Sequence, residues 1–296
     1  MLTGLSAFPL TPIRDDQVDL PAFERLVTRL VAAEVDSITV LGSTGSYAYL
    51  DLDERREVAH AAIDYAAGTP VIVGIGALRT SQVHALADDA QAAGAGAVLL
   101  APVSYQALTE DDVFGLYEDV VARLSVPLIV YDNPGTTHFA FTDDLYARIA
   151  ALPGVASIKI PGVPADAAAA RERVARIREL VPPGVTIGIS GDAAAARGLG
   201  AGCEVWYSVI GGTLPEAALR ITRAARSGDA EVAAAESQRL QPLWDLFAAH
   251  GSLRVTAAIA EHLGLAERSL LPLPIRGLDD PARERVARVV EELELG

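Results

Sequence analysis

The chain has 296 residues, with 24 Lys and Arg against 39 Asp and Glu, a formal net charge of −15, and 51% hydrophobic with 21% charged residues. This is the balance of a globular protein, and its acidic surface repels nucleic-acid phosphates and anionic membranes, so neither is an expected partner. No apolar run reaches the ~20 residues of a bilayer span, the opening MLTGLSAFPL lacks the basic start and long apolar run of a signal peptide, and the lone Cys203 cannot form an internal disulfide; a cytosolic enzyme is the expectation.

Short aliphatic or β-branched runs recur along the chain, each followed by a longer helical pattern. The first, Gly4–Pro9, leads to Asp19, which precedes Leu20 and Pro21 as at the first turn of a helix. Ser37–Leu41 comes next, then Asp51 and Glu54 at the spacing of a capping box. Pro70–Gly74 follows, and its helix ends at Gly94 and Gly96, both suited to a left-handed position after a helix. After Ala97–Leu100, Thr109 with Glu110, Asp111 and Asp112 places a cap and three negative charges where a helix dipole favours them. Pro127–Tyr131, Val155–Lys159, Val185–Ile189 and Glu204–Ser208 complete a set of eight runs.

Runs this uniformly apolar predict strands buried on both faces, as in a parallel sheet. Eight successive βα units predict an α/β (β/α)8 barrel over residues 1–228. An open doubly wound sheet is the alternative, but no dinucleotide fingerprint supports it. Beyond Gly228 the alternation stops. Asp229–Gly251, Ser252–Leu263 and Asp280–Leu295 have helical patterns, joined by the Pro-rich Leu270–Gly277, which predicts a helical appendage over residues 229–296, packed on the barrel.

In such a barrel the chemistry sits at the C-terminal ends of the strands. Lys159 is the only lysine in the sequence, the other basic residues being arginines, and it ends the sixth run. With about two candidate positions at each strand end, a randomly placed lysine lands on one about once in twenty trials. Its neighbours Ile158 and Ile160 are apolar, and desolvation favours the neutral amine that attacks a ketone. Arg could not replace it, because guanidinium keeps its proton. Tyr131 ends the fifth run before the turn Asp132-Asn133-Pro134-Gly135; its phenol can relay protons at a Schiff base or simply close the barrel end. Gly42-Ser43-Thr44-Gly45-Ser46, after the second run, offers hydroxyls and free backbone N–H groups to a small carboxylate.

Other residues offer less. His60, His84, His138, His250 and His262 have no metal-ligand spacing; His138 is nearest the expected mouth. Cys203 has the setting of an inert buried thiol. Asp192, in Ser190-Gly191-Asp192, either orients a mouth residue or caps the helix that follows.

With these residues in place, the chain resembles the dihydrodipicolinate synthase / N-acetylneuraminate lyase family of class I, Schiff-base aldolases. Gly42-Ser43-Thr44-Gly45 matches its Gly-Ser/Thr-Thr-Gly signature, Tyr131-Asp132-Asn133-Pro134 is similar to its Tyr-Asn-x-Pro motif, and Ser157-Ile158-Lys159 matches its Schiff-base strand. Gly191-Asp192 and Gly202 to Pro215 follow in the family's order. The resemblance implies that Lys159 attacks C2 of pyruvate or a longer 2-oxo acid and that Tyr131 relays protons, extended by Ser43. It implies that Thr44 and Gly45 hold the carboxylate and that Tyr207 lines the site. It also implies that neither a metal nor an organic cofactor is needed, and a homo-oligomer, a tetramer built from dimers or a dimer alone.

The departures concern the second substrate. Where lysine-precursor synthases of the family carry an Arg that grips an aldehyde's carboxylate, this chain has Thr136; where a relay tyrosine crosses the subunit interface it has Ser104, next to Tyr105. Ser46 and Ile160 replace residues that are often acidic, and Val205, Trp206 and Tyr207 enlarge strand eight. The expectation is therefore an aldolase or lyase acting on pyruvate or a longer 2-oxo acid, with an aldehyde as second substrate, rather than a true dihydrodipicolinate synthase. A 2-keto-3-deoxy sugar acid dehydratase using the same imine and a catalytically silent 2-oxo-acid-binding protein are the alternatives.

Overall fold

The computed structural model describes residues 2–296. Eight parallel strands close into a barrel: β1 (Gly4–Ala7), β2 (Ser37–Val40), β3 (Val71–Gly74), β4 (Ala97–Leu100), β5 (Leu128–Tyr131), β6 (Val155–Ile160), β7 (Thr186–Ile189) and β8 (Val205–Ser208), with β1 pairing β8 to complete the ring. Each coincides with one of the eight apolar runs. A two-stranded hairpin, Ile13–Arg14 with Gln17–Val18, interrupts the first crossover.

The helix starts follow from the capping residues. Asp19 accepts from the Ala22 N–H, and Asp51 with Glu54 and Thr109 with Asp112 form reciprocal capping boxes. Gly94 adopts φ +100° after its helix, whereas Gly96 does not enter the left-handed region and simply begins the approach to β4.

Two apolar layers result. One lies between the strands and the surrounding helices; the other fills the barrel with Phe8, Leu99, Ile129, Tyr131 and Tyr207. The interior is not wholly apolar: the hydroxyls of Ser6 and Thr39 meet at 2.6 Å, and the Tyr207 hydroxyl meets that of Ser157 at 2.8 Å, so each of these four buried hydroxyls has a partner. Gly188 makes this packing possible, because a Cβ there would stand 2.2 Å from the Tyr207 ring.

Past the barrel, the segment expected as one helix over Asp229–Gly251 is two, Ala230–Arg239 and Gln241–His250. Pro242 has no N–H to continue the helical ladder, so the chain turns at Leu240 and restarts with the proline in the first turn. Helices Ser252–His262 and Asp280–Glu292 follow, and Leu240, Leu243, Ile259 and Val286 join the same apolar core as the barrel helices. No helix among the described residues is long and apolar enough to cross a membrane.

Candidate active site

A cavity of about 730 Å³ opens at the C-terminal ends of the strands. Lys159 and Tyr131 stand side by side on its wall because β5 and β6 pair in parallel with these two residues in register. Ser43, on the loop after β2, completes the group: its hydroxyl lies 3.3 Å from that of Tyr131. The Asn133 side-chain amide donates to the Tyr131 oxygen at 2.9 Å and to Ser43 Oγ at 3.3 Å. The sequence shows Asn133 only as a turn residue; its second role is set by the fold of that turn.

The loop carrying Ser43 is tightly constrained. Leu41 has φ +57° and Ser46 φ +54°, left-handed conformations that cost a non-glycine residue of order 1–3 kcal/mol. Leu41 is tolerated because Gly74 leaves room: a Cβ at Gly74 would fall 1.9 Å from the Leu41 carbonyl oxygen. Thr44 and Ser46 reach the cavity wall. Gly45 lies behind it, packed toward the Leu41 backbone and Thr11.

Lys159 is 3% exposed, and its Nζ sits 3.9 Å from the Phe8 ring centroid, 4.0 Å from that of Tyr131 and 5.7 Å from that of Tyr207. Burial among these rings penalises the ammonium form and pushes the pKa down to about 7, partly offset by the negative charge of Asp192. No hydrogen-bonded carboxylate fixes the amine, so near neutral pH a large fraction of it is a free nucleophile. Burial raises the Tyr131 phenol above its ordinary value, opposed by hydrogen bonds from Ser43 and Asn133, so it stays protonated and able to donate. Tyr207 is buried beneath the lysine and contributes a cavity face while its hydroxyl is taken by Ser157.

Asp192 neither caps its own helix nor contacts the lysine directly. Its carboxylate crosses to the end of β8, accepting from Trp206 Nε1 at 3.0 Å, Val209 N at 3.2 Å and Ile210 N at 2.7 Å. It thereby fixes the turn after β8 and brings a buried negative charge within range of the amine. Asp132, beside Tyr131, is buried and accepts the Tyr146 hydroxyl; burial raises it to about 6, and its second oxygen has no partner.

The remaining expectations separate clearly. Thr136 and Ser104 both line the cavity, Ser104 donating to the Gln106 carbonyl at 2.6 Å. His138 is exposed and does not line it. Cys203 is buried, its thiol pushed up to about 12 by desolvation. Among the described residues no group of three His, Cys, Asp or Glu could hold a metal ion. Two contributions were invisible in the sequence: Phe8, which leaves β1 directly under the amine, and an apolar wall of Trp244, Phe247 and Leu253 from the C-terminal helices. Only the closed fold brings them together.

Comparison with known proteins identifies the family. The model of the dihydrodipicolinate synthetase family matches residues 1–293. The chain is 33% identical over 295 residues to 4-hydroxy-tetrahydrodipicolinate synthase of Methylococcus capsulatus, covering 99% of each protein. Among solved structures it is similar to dihydrodipicolinate synthase from Agrobacterium tumefaciens, with 45% identity, TM-score 0.95 and coverage of 99% and 98%. It is also similar to a putative dihydrodipicolinate synthetase from Pseudomonas aeruginosa, with 30% identity, TM-score 0.91 and coverage of 99% and 100%.

Proposed function

This chain belongs to the dihydrodipicolinate synthetase family, whose members are pyruvate-dependent lyases of the aldolase type, and we propose that it makes or breaks a carbon–carbon bond through an imine between Lys159 and pyruvate or a longer 2-oxo acid. The observation that carries this reading is a buried amine, depressed to about 7, beside a protonated phenol on the paired strand.

The neutral Lys159 amine attacks C2 of the keto acid. The carbinolamine oxygen takes a proton by way of Tyr131 and leaves as water, and Ser43 passes protons between Tyr131 and the cavity. Thr44 holds the carboxylate, with Gly45 behind it letting the loop pack closely on Leu41 and Thr11, and Tyr207 limits the space beneath it. The resulting iminium draws electrons from C3, which loses either a proton or the far carbon fragment.

Where the resemblance sets an Arg against an aldehyde's carboxylate, Thr136 supplies no cation. This supports a different second substrate. Water loss from a 2-keto-3-deoxy sugar acid runs through the same imine; free pyruvate measured against acid consumed separates the two reactions. A silent 2-oxo-acid binder would form the imine and turn nothing over.

Self-association is part of this reading. Tyr105 is 91% exposed and Tyr49, on the cavity rim, is 51% exposed, aromatic surface that a second copy would cover. Light scattering gives the assembly mass, and a monomer at micromolar concentration would contradict it.

The imine is tested by incubating the chain with pyruvate, reducing with borohydride and weighing the product. A single adduct mapping to Lys159 is expected. Unmodified protein across a panel of 2-oxo acids would overturn the reading.

A further inference from the structure

The cavity is much larger than a three-carbon acid needs, and at about 730 Å³ it falls within the range of pockets that enclose medium-sized organic molecules. Lys159 and Asp192 are its only charged lining side chains among the described residues. The first is consumed as the imine. The second is already committed to Trp206, Val209 and Ile210. A carboxylate or phosphate on a second substrate would therefore be desolvated with no cation opposite it and with Asp192 adding repulsion.

One wall is carbon. Trp244 and Phe247 come from helix Gln241–His250, Leu253 from helix Ser252–His262, and Ile275 from the Pro-rich segment. The Trp244 and Phe247 ring centroids lie 5.7 Å apart, and the indole N–H already donates to the Ser237 carbonyl at 2.9 Å, so these rings offer apolar contact and no free donor; Ser252 is the one hydroxyl on this wall.

We propose that the acceptor half of the site takes an uncharged aldehyde with an aromatic or branched apolar substituent, seated against Trp244, Phe247 and Leu253. This rests on the reading that Lys159 carries the 2-oxo acid as an imine. Loss of a C3 proton gives the enamine, whose C3 forms the new bond to the aldehyde carbon. The carbonyl electron pair moves to oxygen, which takes a proton by way of Tyr131. Water then adds to C2, the lysine leaves, and a 4-hydroxy-2-oxo acid is released.

The test supplies pyruvate with benzaldehyde, glyceraldehyde or succinic semialdehyde and follows aldol product by mass. Benzaldehyde is expected to exceed the charged semialdehyde by about 100-fold or more in kcat/KM, and to exceed glyceraldehyde. Phe247→Ala is expected to raise KM for benzaldehyde about tenfold. Preference for glyceraldehyde or the semialdehyde overturns the proposal, as does the absence of any aldol product when borohydride still traps pyruvate. If borohydride traps nothing, the imine reading has failed and the proposal falls with it.

Discussion

Lys159 and Tyr131 are register partners on adjacent strands, and the lysine nitrogen lies 4.0 Å from the centre of the tyrosine ring. The tyrosine thus acts twice: its ring helps to desolvate the amine, and its hydroxyl, tied to Ser43 and Asn133, stays protonated beside it. Replacing Lys159 by Arg keeps a cation but removes the only group there able to lose its proton. Lys159→Arg is expected to abolish borohydride trapping and to lower turnover by about 10⁴-fold or more. Trapping at wild-type level in this variant would contradict the assignment.

Tyr131→Phe separates the two contributions. The ring remains, so the amine stays desolvated, while the relay hydroxyl is lost. The expected outcome is a kcat lower by about 10²–10⁴-fold, with imine still trapped on long incubation. Ser43→Ala, which removes the next member of the relay, should cost less. Unchanged kcat in Tyr131→Phe would place the relay elsewhere.

Asp132 stands where the resemblance expects Asn. Its folded pKa of about 6 exceeds the unfolded value of about 4, so the folded state holds the proton more tightly and stability is lost as pH rises from about 4 through about 6. Asp132→Asn can still accept the Tyr146 hydroxyl and is never charged. Thermal melts should show it more stable than wild type at pH 8, with the difference closing toward pH 4. A pH-independent difference would contradict this.

Asp192→Asn leaves one of the three donors at the β8 turn facing an amide N–H instead of an oxygen. A loss of about 2–4 kcal/mol in unfolding free energy is expected. Because the Asp192 charge favours the lysine cation, the pH midpoint of imine trapping should also move down. A loss of stability with no movement of that midpoint would limit Asp192 to a structural role.

The barrel was legible because parallel strands buried on both faces leave uninterrupted apolar runs, and because Asp19, Asp51 and Thr109 cap their helices through bonds only two or three residues away. Lys159 was legible because it is the only lysine and ends one of those runs. What escaped depends on contacts distant in sequence. Phe8 under the amine and Trp244 with Phe247 across the mouth need the closed fold before they meet the lysine, and Asp192 is bonded not within its own loop but to the neighbouring strand β8. Two local features escaped as well: Gly96 does not take the left-handed turn that Gly94 alone provides, and Pro242 splits a helical pattern whose periodicity is otherwise continuous.

The proposed chemistry depends on burial lowering the pKa of the Lys159 amine to about 7. The initial rate of pyruvate trapping by Lys159, followed from pH 5 to pH 10, reports that pKa. A rate that climbs through a midpoint near 7 and then levels is expected. A rate that rises tenfold per pH unit beyond pH 9, as an ordinary lysine would give, would contradict it.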